Sequence, residues 1–400
     1  MASKKKFISE RKNLFIPGKT RVLYGGVAFG EEERQAIDEI LDKNWWGLSE
    51  QGKLFEKELA ETQGVKRAIL TNSGSSALDL GIRALQLPKG SEVIVPACTF
   101  PTPIASLINY GLKPVVADIE IGNYFFSPKS LERSISKKTA AILLVYVAGL
   151  VGDLDKILNI AKKNKLKVIE DNCDGFGGKW MGKMLGSFGE FSAISTHAAH
   201  IISTGEGGAV LTDNSNFADR VLSIRDWGRI LDFEDRKKGL GDFPADYRRY
   251  IYSELGSNLK PLELQAAMGR VQLRRLQEFK KKRRRNAEVL RKILSEYEDR
   301  IVLPTSNPDA DICWYTFPLT LKNGSRKKVL EVLDKANIEW RPILAGNIAR
   351  QPAFIDHVVV RDKLDNADQL LNQSFWVSVH PAHSIEVIEF VANTIKRALD

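Results

Sequence analysis

Between about residues 30 and 230 the chain alternates short apolar runs with longer stretches of helical spacing, and this limits the fold more than any other feature. The runs "RAILTNS", "EVIVPA", "KPVVADI", "AAILLVYV", "LKVIED", "FSAIST" and "GAVLTD" read as strands. Between them, "SSALDLGIRAL", "PTPIASLINYG" and "LDKILNIAKKNK" read as helices. Several strands are apolar throughout, without the in-out alternation of a half-exposed sheet, so both of their faces are expected to be covered. The pattern predicts an α/β fold: a mostly parallel sheet between layers of helix.

From about residue 260 the character changes to a long charged helix at 261–298, then "CWYTFPLTL", a helix near 326–336, "IEWRPIL", "SFWVSVHP" and a terminal helix from Ser384. We therefore expect a large domain over 1–260 and a smaller α+β domain over 261–400. A polar, irregular stretch at 228–257 is long enough to suggest a functional loop. With 400 residues and 43% hydrophobic content, the chain can bury one large core or two smaller ones.

The basic opening "MASKKKFISERKN" has no apolar run behind it, and no stretch has the length of about 18 apolar residues that a membrane span needs. A cytoplasmic protein is expected. Cys98, Cys173 and Cys313 lie far apart without metal-ligand spacing, which fits buried reduced thiols. The formal charge of +9 favours small anionic partners. The run "KKKRRR" at Lys280–Arg285 follows a helical pattern and reads as a solvated helix face rather than a nucleic-acid site.

In open α/β sheets ligands bind beyond the carboxyl ends of the strands, and four stretches there carry candidate chemistry. "TNSGSSALDLG" sets Gly74, Ser75 and Ser76 at a strand-to-helix turn, either a phosphate cup or a plain capped turn. "VIEDNCDGFGG" ends a strand with Glu170, Asp171 and Asp174, as helix caps, metal ligands or partners of a cationic ring. Phe100 in "VPACTFPTP" either stacks on a planar ligand or packs in the core. "STHAAHIISTGEGG" supplies Ser195, His197, His200 and a glycine turn; His200 is open to structural, metal-binding or proton-carrying roles. No HxxxH or HExxH spacing supports a metal.

In this order, and with "GKLFEKELAE", "SNLKPLELQAAMGRVQL" and "FWVSVHP", the stretches resemble the DegT/DnrJ/EryC1/StrS sugar aminotransferases, of aspartate-aminotransferase-like fold (fold type I). The resemblance implies that Gly74, Ser75, Ser76 and Ser195 hold the phosphate of pyridoxal or pyridoxamine phosphate. On the same resemblance Phe100 is expected to stack on its ring, and Asp171, with Asp174 close behind, to meet the pyridinium nitrogen. The resemblance further implies a homodimer in which Asn258 reaches the phosphate from the neighbouring subunit.

One departure from the family matters more than the matches. The sixth residue of the motif that starts at Ser195 is the Schiff-base lysine in the family's aminotransferases, and here it is His200. Imidazole cannot form that covalent link but can carry a proton, so the cofactor is expected to bind non-covalently. This exchange, together with "EDNCD", "RDWGR" and "AGNIARQP", resembles the nucleotide-linked 4-keto-6-deoxyhexose 3-dehydratases. Because "RDWGRILDFEDRKKGLGDF" has no cysteine, the resemblance favours the kind without an iron-sulfur cluster. That kind acts on GDP-4-keto-6-deoxymannose and recharges its cofactor with L-glutamate. Arg341, Asn347 and Arg350 are candidates for the sugar nucleotide, and the role of His197 stays open between packing and proton transfer. The alternatives are a lysine-free sugar aminotransferase, a CDP-hexulose 3-dehydrase served by a reductase, and a cofactor-binding scaffold.

Overall fold

The computed structural model describes residues 15–230, 244, 247 and 250–400, so most of the 228–257 stretch lies outside the described residues. All seven runs read as strands form one sheet, joined by Val359–Val360. In spatial order it runs Arg67–Thr71, Gly208–Thr212, Phe191–Ser195, Lys167–Asp171, Thr139–Val145, Glu92–Pro96, Lys113–Ala117 and Val359–Val360. Gly208–Thr212 is antiparallel to both neighbours, and the other pairings are parallel. The carboxyl ends of Arg67–Thr71, Phe191–Ser195, Lys167–Asp171, Thr139–Val145 and Glu92–Pro96 therefore open on one edge.

The central strands are buried on both faces, with Val93, Ile94, Val95, Ile142, Leu143 and Leu144 shielded from solvent. This is the physical basis of their unbroken apolar sequence. The three helices expected between strands form as Gly74–Ala84, Pro101–Asn109 and Leu154–Lys163.

The second sheet holds Ile301–Val302, Thr316–Leu321, Ser374–Ser378 and Trp340–Arg341, all antiparallel, with helices Arg326–Lys335 and Ile385–Leu399. Ser384 caps the terminal helix. Several ties cross the boundary expected near residue 260: Val359–Val360 pairs with Lys113–Ala117, Ala310–Asp311 with Lys179–Trp180, and Val22 bridges to Ile338.

Two sequence expectations need correction. The single helix at 261–298 is two, Glu263–Arg274 and Leu276–Leu294. The break falls at Arg275, whose guanidinium reaches back to Glu33 and the Ala28 carbonyl. The first helix packs on Glu31–Asp42 and Glu50–Gln63, and the second on Ile385–Leu399. Nor is "KKKRRR" wholly a solvated face, because Lys280 and Arg283 are buried. Lys280 donates to the Gly177 carbonyl and pairs with Asp311 at 2.8 Å.

Candidate active site

The shared sheet edge opens into a cleft of about 530 Å³ lined by Ser73, Gly74, Ser75, Phe100, Asp171, Cys173, Asp174, Ser195, His197 and His200. Tyr24, Tyr315, Arg341, Leu344 and Trp376 close its other side.

The cup is built by a helix start. Ser73 caps Gly74–Ala84, its Oγ accepting from the Ser76 amide at 3.0 Å. Ser76 turns its hydroxyl back onto Asn72 Oδ1, 2.6 Å away, so its side chain serves the turn rather than the cleft. Ser75 is exposed there, its Oγ 2.9 Å from Thr102 Oγ1. Position 74 requires glycine because a Cβ would lie 2.7 Å from Ser195 Cβ. The positive end of this helix, with amides free of intrahelical partners, faces the cleft and suits an anion.

Adjacent strand residues point to opposite faces, and this separates the carboxylates. Glu170 is fully buried and accepts from the amides of Gly186, Phe188 and Gly189 and from the Tyr146 hydroxyl, so it is an internal brace. Asp171 faces the cleft, with Oδ1 accepting from the Cys173 amide at 3.2 Å. Asp174 accepts from the Ala148 amide at 3.1 Å. Burial raises both carboxyls. Asp174, with the Asp171 charge adding to the effect of burial, is pushed up to about 8. Such a pair is poised to receive a cationic group.

His200 lies beside them, its Nδ1 3.8 Å from Asp174 Oδ1 and buried without a hydrogen-bond partner among the described residues. Its ring stacks on Tyr315, centroids 5.0 Å apart at 22°. Tyr315 meets Tyr24 and Trp376 edge-on, and Tyr24 stacks on Trp376. Burial, then the charges of His197 and Arg283, push the His200 imidazole down to about 3, so it is a neutral base near pH 7. His197 is more exposed, with Nε2 3.7 Å from Glu206. Phe100, 53% exposed, lines the opposite wall just before helix Pro101–Asn109.

The other sequence candidates divide. Arg341 lines the cleft, its guanidinium 5.5 Å from the Tyr24 ring centroid. Asn347 and Arg350 do not line this cleft, and their reading as sugar-nucleotide contacts stays a proposal. Asn347 is fully buried, donating to Asp368 at 2.7 Å and accepting from the Ala349 amide. Arg350 forks onto the same carboxylate at 2.9 and 2.8 Å. Asn258 is exposed, bridged to Asp226, and does not line its own chain's cleft. Sequence reasoning missed Tyr24, Tyr315 and Trp376. "CWYTFPLTL" and "SFWVSVHP" had marked the last two only as strand residues.

The model of the DegT/DnrJ/EryC1/StrS aminotransferase family matches residues 28–396. The chain belongs to this family. It is 36% identical to the lipopolysaccharide biosynthesis protein RfbH of Salmonella typhimurium over 95% of this chain and 92% of that one. It is 35% identical to dTDP-4-dehydro-2,6-dideoxy-D-glucose 3-dehydratase of Saccharopolyspora spinosa, over 95% and 87%. Among solved structures it is similar to a GDP-4-keto-6-deoxymannose-3-dehydratase with a trapped PLP-glutamate geminal diamine. The TM-score is 0.88 at 29% identity, covering 94% of this chain and 100% of that one. The family member described here thus has the aminotransferase-like α/β fold expected from sequence. Among the described residues no helix is long and apolar enough to cross a membrane.

Proposed function

We propose that this protein removes the C3 hydroxyl of a nucleotide-linked 4-keto-6-deoxyhexose, using non-covalently held pyridoxamine phosphate and giving a 3,6-dideoxy-4-keto sugar. The observation that carries the reading is His200. The resemblance puts the family's Schiff-base lysine at this cleft position, and in this chain a half-buried, neutral imidazole stands there.

The residues fit the cofactor. The helix start at Gly74 and Ser75, with Ser195 beside it, suits a phosphate. The exposed Phe100 ring offers a stacking face, and the paired Asp171 and Asp174 call for a cation between dry walls. When bound, pyridoxamine phosphate supplies an amine to condense with the ketone and a protonated ring to accept electrons.

The chain's own residues do the rest. Asp171 and Asp174 hold a positive ring in place. His200, with Nδ1 buried beside Asp174, presents Nε2 to take a proton and return it to the departing hydroxyl, acting as base and then acid. With no lysine among the described residues that line the cleft, the path to an amino sugar loses its usual proton carrier. The aromatic wall of Tyr24, Tyr315 and Trp376 keeps water from the reacting face. Arg341 is left to meet the diphosphate, and L-glutamate to renew the amine, as the trapped adduct in the solved relative supports. The protein acts as a homodimer in which Asn258 serves the partner's cleft. Exposed Trp45, Trp46 and Leu262, joined by the bond from the Glu263 amide to the Trp46 carbonyl, supply an apolar face for it.

GDP is the nucleotide we infer. A dTDP-linked substrate is the second reading, since the dTDP-sugar 3-dehydratase is the more similar of the two named 3-dehydratases. Incubating the pyridoxamine-loaded protein with GDP-, CDP- and dTDP-linked 4-keto-6-deoxyhexoses and glutamate decides by product mass. A dideoxy keto sugar is expected; an amino sugar as sole product refutes the proposal. His200→Asn should bind cofactor normally and dehydrate at least about 100-fold more slowly. Undiminished turnover would remove His200 from the mechanism.

A further inference from the structure

Arg283, on helix Leu276–Leu294, is 2% exposed and has no carboxylate within ion-pair distance among the described residues. Its Nε is buried without a partner, and its other contacts run to main chain. Nη1 donates to the carbonyls of Trp314 and Tyr315 at 3.3 and 2.8 Å, and Nη2 to that of His200 at 3.4 Å. A lone buried guanidinium is costly, and an apolar side chain of similar volume would fill the space at less expense. What Arg283 adds is a fork between two segments that nothing in sequence connects: the loop carrying His200 and the strand entry carrying Tyr315. These are the residues whose rings stack 5.0 Å apart.

We propose that Arg283 is a positioning residue for His200, tying its backbone to that of Tyr315 so that the imidazole is held on the tyrosine ring and aimed into the cleft. The inference rests on His200 being the base. The fixed charge acts on the same cluster: it opposes protonation of His200 and favours ionised Asp174. The groups facing His200 are His197 on its own loop, Asp174 and Cys173 from the strand end, Tyr315, with Tyr24 behind it, and Arg283 from the helix. Arg283 is the permanent cation among them, and it does not titrate with the carboxylates.

Two variants separate charge from geometry. Arg283→Lys keeps a cation but loses the fork, and Arg283→Met loses both. In ligand-free protein, the His200 ring resonances are identified by their loss in His200→Asn and followed between about pH 4 and 7.5. Wild type and Arg283→Lys should stay neutral over most of this range, while His200 in Arg283→Met should titrate at least about one unit higher. In turnover, both variants should lose about ten- to a hundredfold in kcat with KM within about twofold, because a misaimed base slows chemistry without weakening binding. Unchanged His200 titration in folded Arg283→Met, or wild-type kcat in folded Arg283→Lys, overturns the inference. The titration needs no substrate, so it gives its answer even if wild-type protein fails to dehydrate any sugar and the proposed function falls.

Discussion

Replacing Asp174 with asparagine should change how the ligand-free protein's stability depends on pH, in a window fixed by the raised Asp174 carboxyl, while His200 offsets part of that slope in the wild type. Asp174 is pushed up from its ordinary 3.8 to about 8, so folding favours its protonated form. Its contribution to stability is full below 3.8 and is lost as pH rises to about 8. His200 is pushed down from 6.5 to about 3, so its contribution is full above 6.5 and is lost as pH falls to about 3. Between 3.8 and 6.5 the two cancel: the unfolded pair carries one proton on histidine, and the folded pair carries one on the carboxyl. Between 6.5 and about 8 the folded pair still holds a proton that the unfolded pair has released. Stability must then fall by about 1.4 kcal/mol per pH unit, or about 2 kcal/mol across the window. Urea unfolding of the ligand-free protein at half-unit steps from pH 5 to 8.5 measures this, with wild type minus Asp174→Asn cancelling the other titrating groups. Because His200 is present in both proteins, the difference isolates Asp174 and should fall steadily, by about 1.4 kcal/mol per pH unit from pH 5 to about 8. A difference that stays flat through pH 8.5 would show that Asp174 is ionised throughout, and the case for a pair awaiting a cation would fail.

Two further substitutions test the cup and the brace. Gly74→Ala pushes a Cβ to 2.7 Å from Ser195 Cβ and 3.2 Å from Cys173 Sγ. It should weaken pyridoxamine phosphate binding by at least about tenfold in a fluorescence titration, at a stability cost of about 1–3 kcal/mol; unchanged affinity would move the phosphate elsewhere. Glu170→Gln replaces an acceptor for three amides and a tyrosine hydroxyl with a group that must turn a donor toward some of them. It should lower unfolding stability by about 2–4 kcal/mol while the folded fraction keeps its cofactor affinity; a loss of affinity without loss of stability would make Glu170 a ligand of the cleft.

How far sequence reached depends on how local each signal was. The strand runs could be identified because burial on both faces writes itself into consecutive residues, as in Val93–Val95 and Ile142–Leu144. The cup could be found because a helix start, a glycine and two serines fall within four positions. The cleft's other wall could not. Tyr24, Tyr315 and Trp376 come from three distant segments, and only the crossing of the N-terminal segment to the second sheet brings them onto His200. Asn347 and Arg350 were singled out by the "AGNIARQP" stretch and the match of guanidinium to diphosphate, and the carboxylate that takes both, Asp368, lies on helix Asp365–Gln373, which no local pattern linked to them.

Arg283 is the more instructive case, because its signal was present and was masked by composition. The buried stripe of its helix runs Leu276, Phe279, Lys280, Arg283, Asn286, Ala287, Leu290 and Leu294, a regular three-and-four spacing. Carrying the apolar phase of Leu290 and Leu294 back through "KKKRRR" puts two of those six cations on the core side, whatever the run's average polarity suggests. Periodicity decides which residue faces inward, and chemistry decides only what that costs. A cation placed inward without a carboxylate partner needs another reason to be there, and the loop carrying His200 is within its reach. The aminotransferase-like fold sets the strand ends and the cup. Around His200 the structure places the Tyr315 ring, the Asp174 carboxyl and the buried Arg283 guanidinium, and burial together with the Arg283 charge keeps the imidazole neutral.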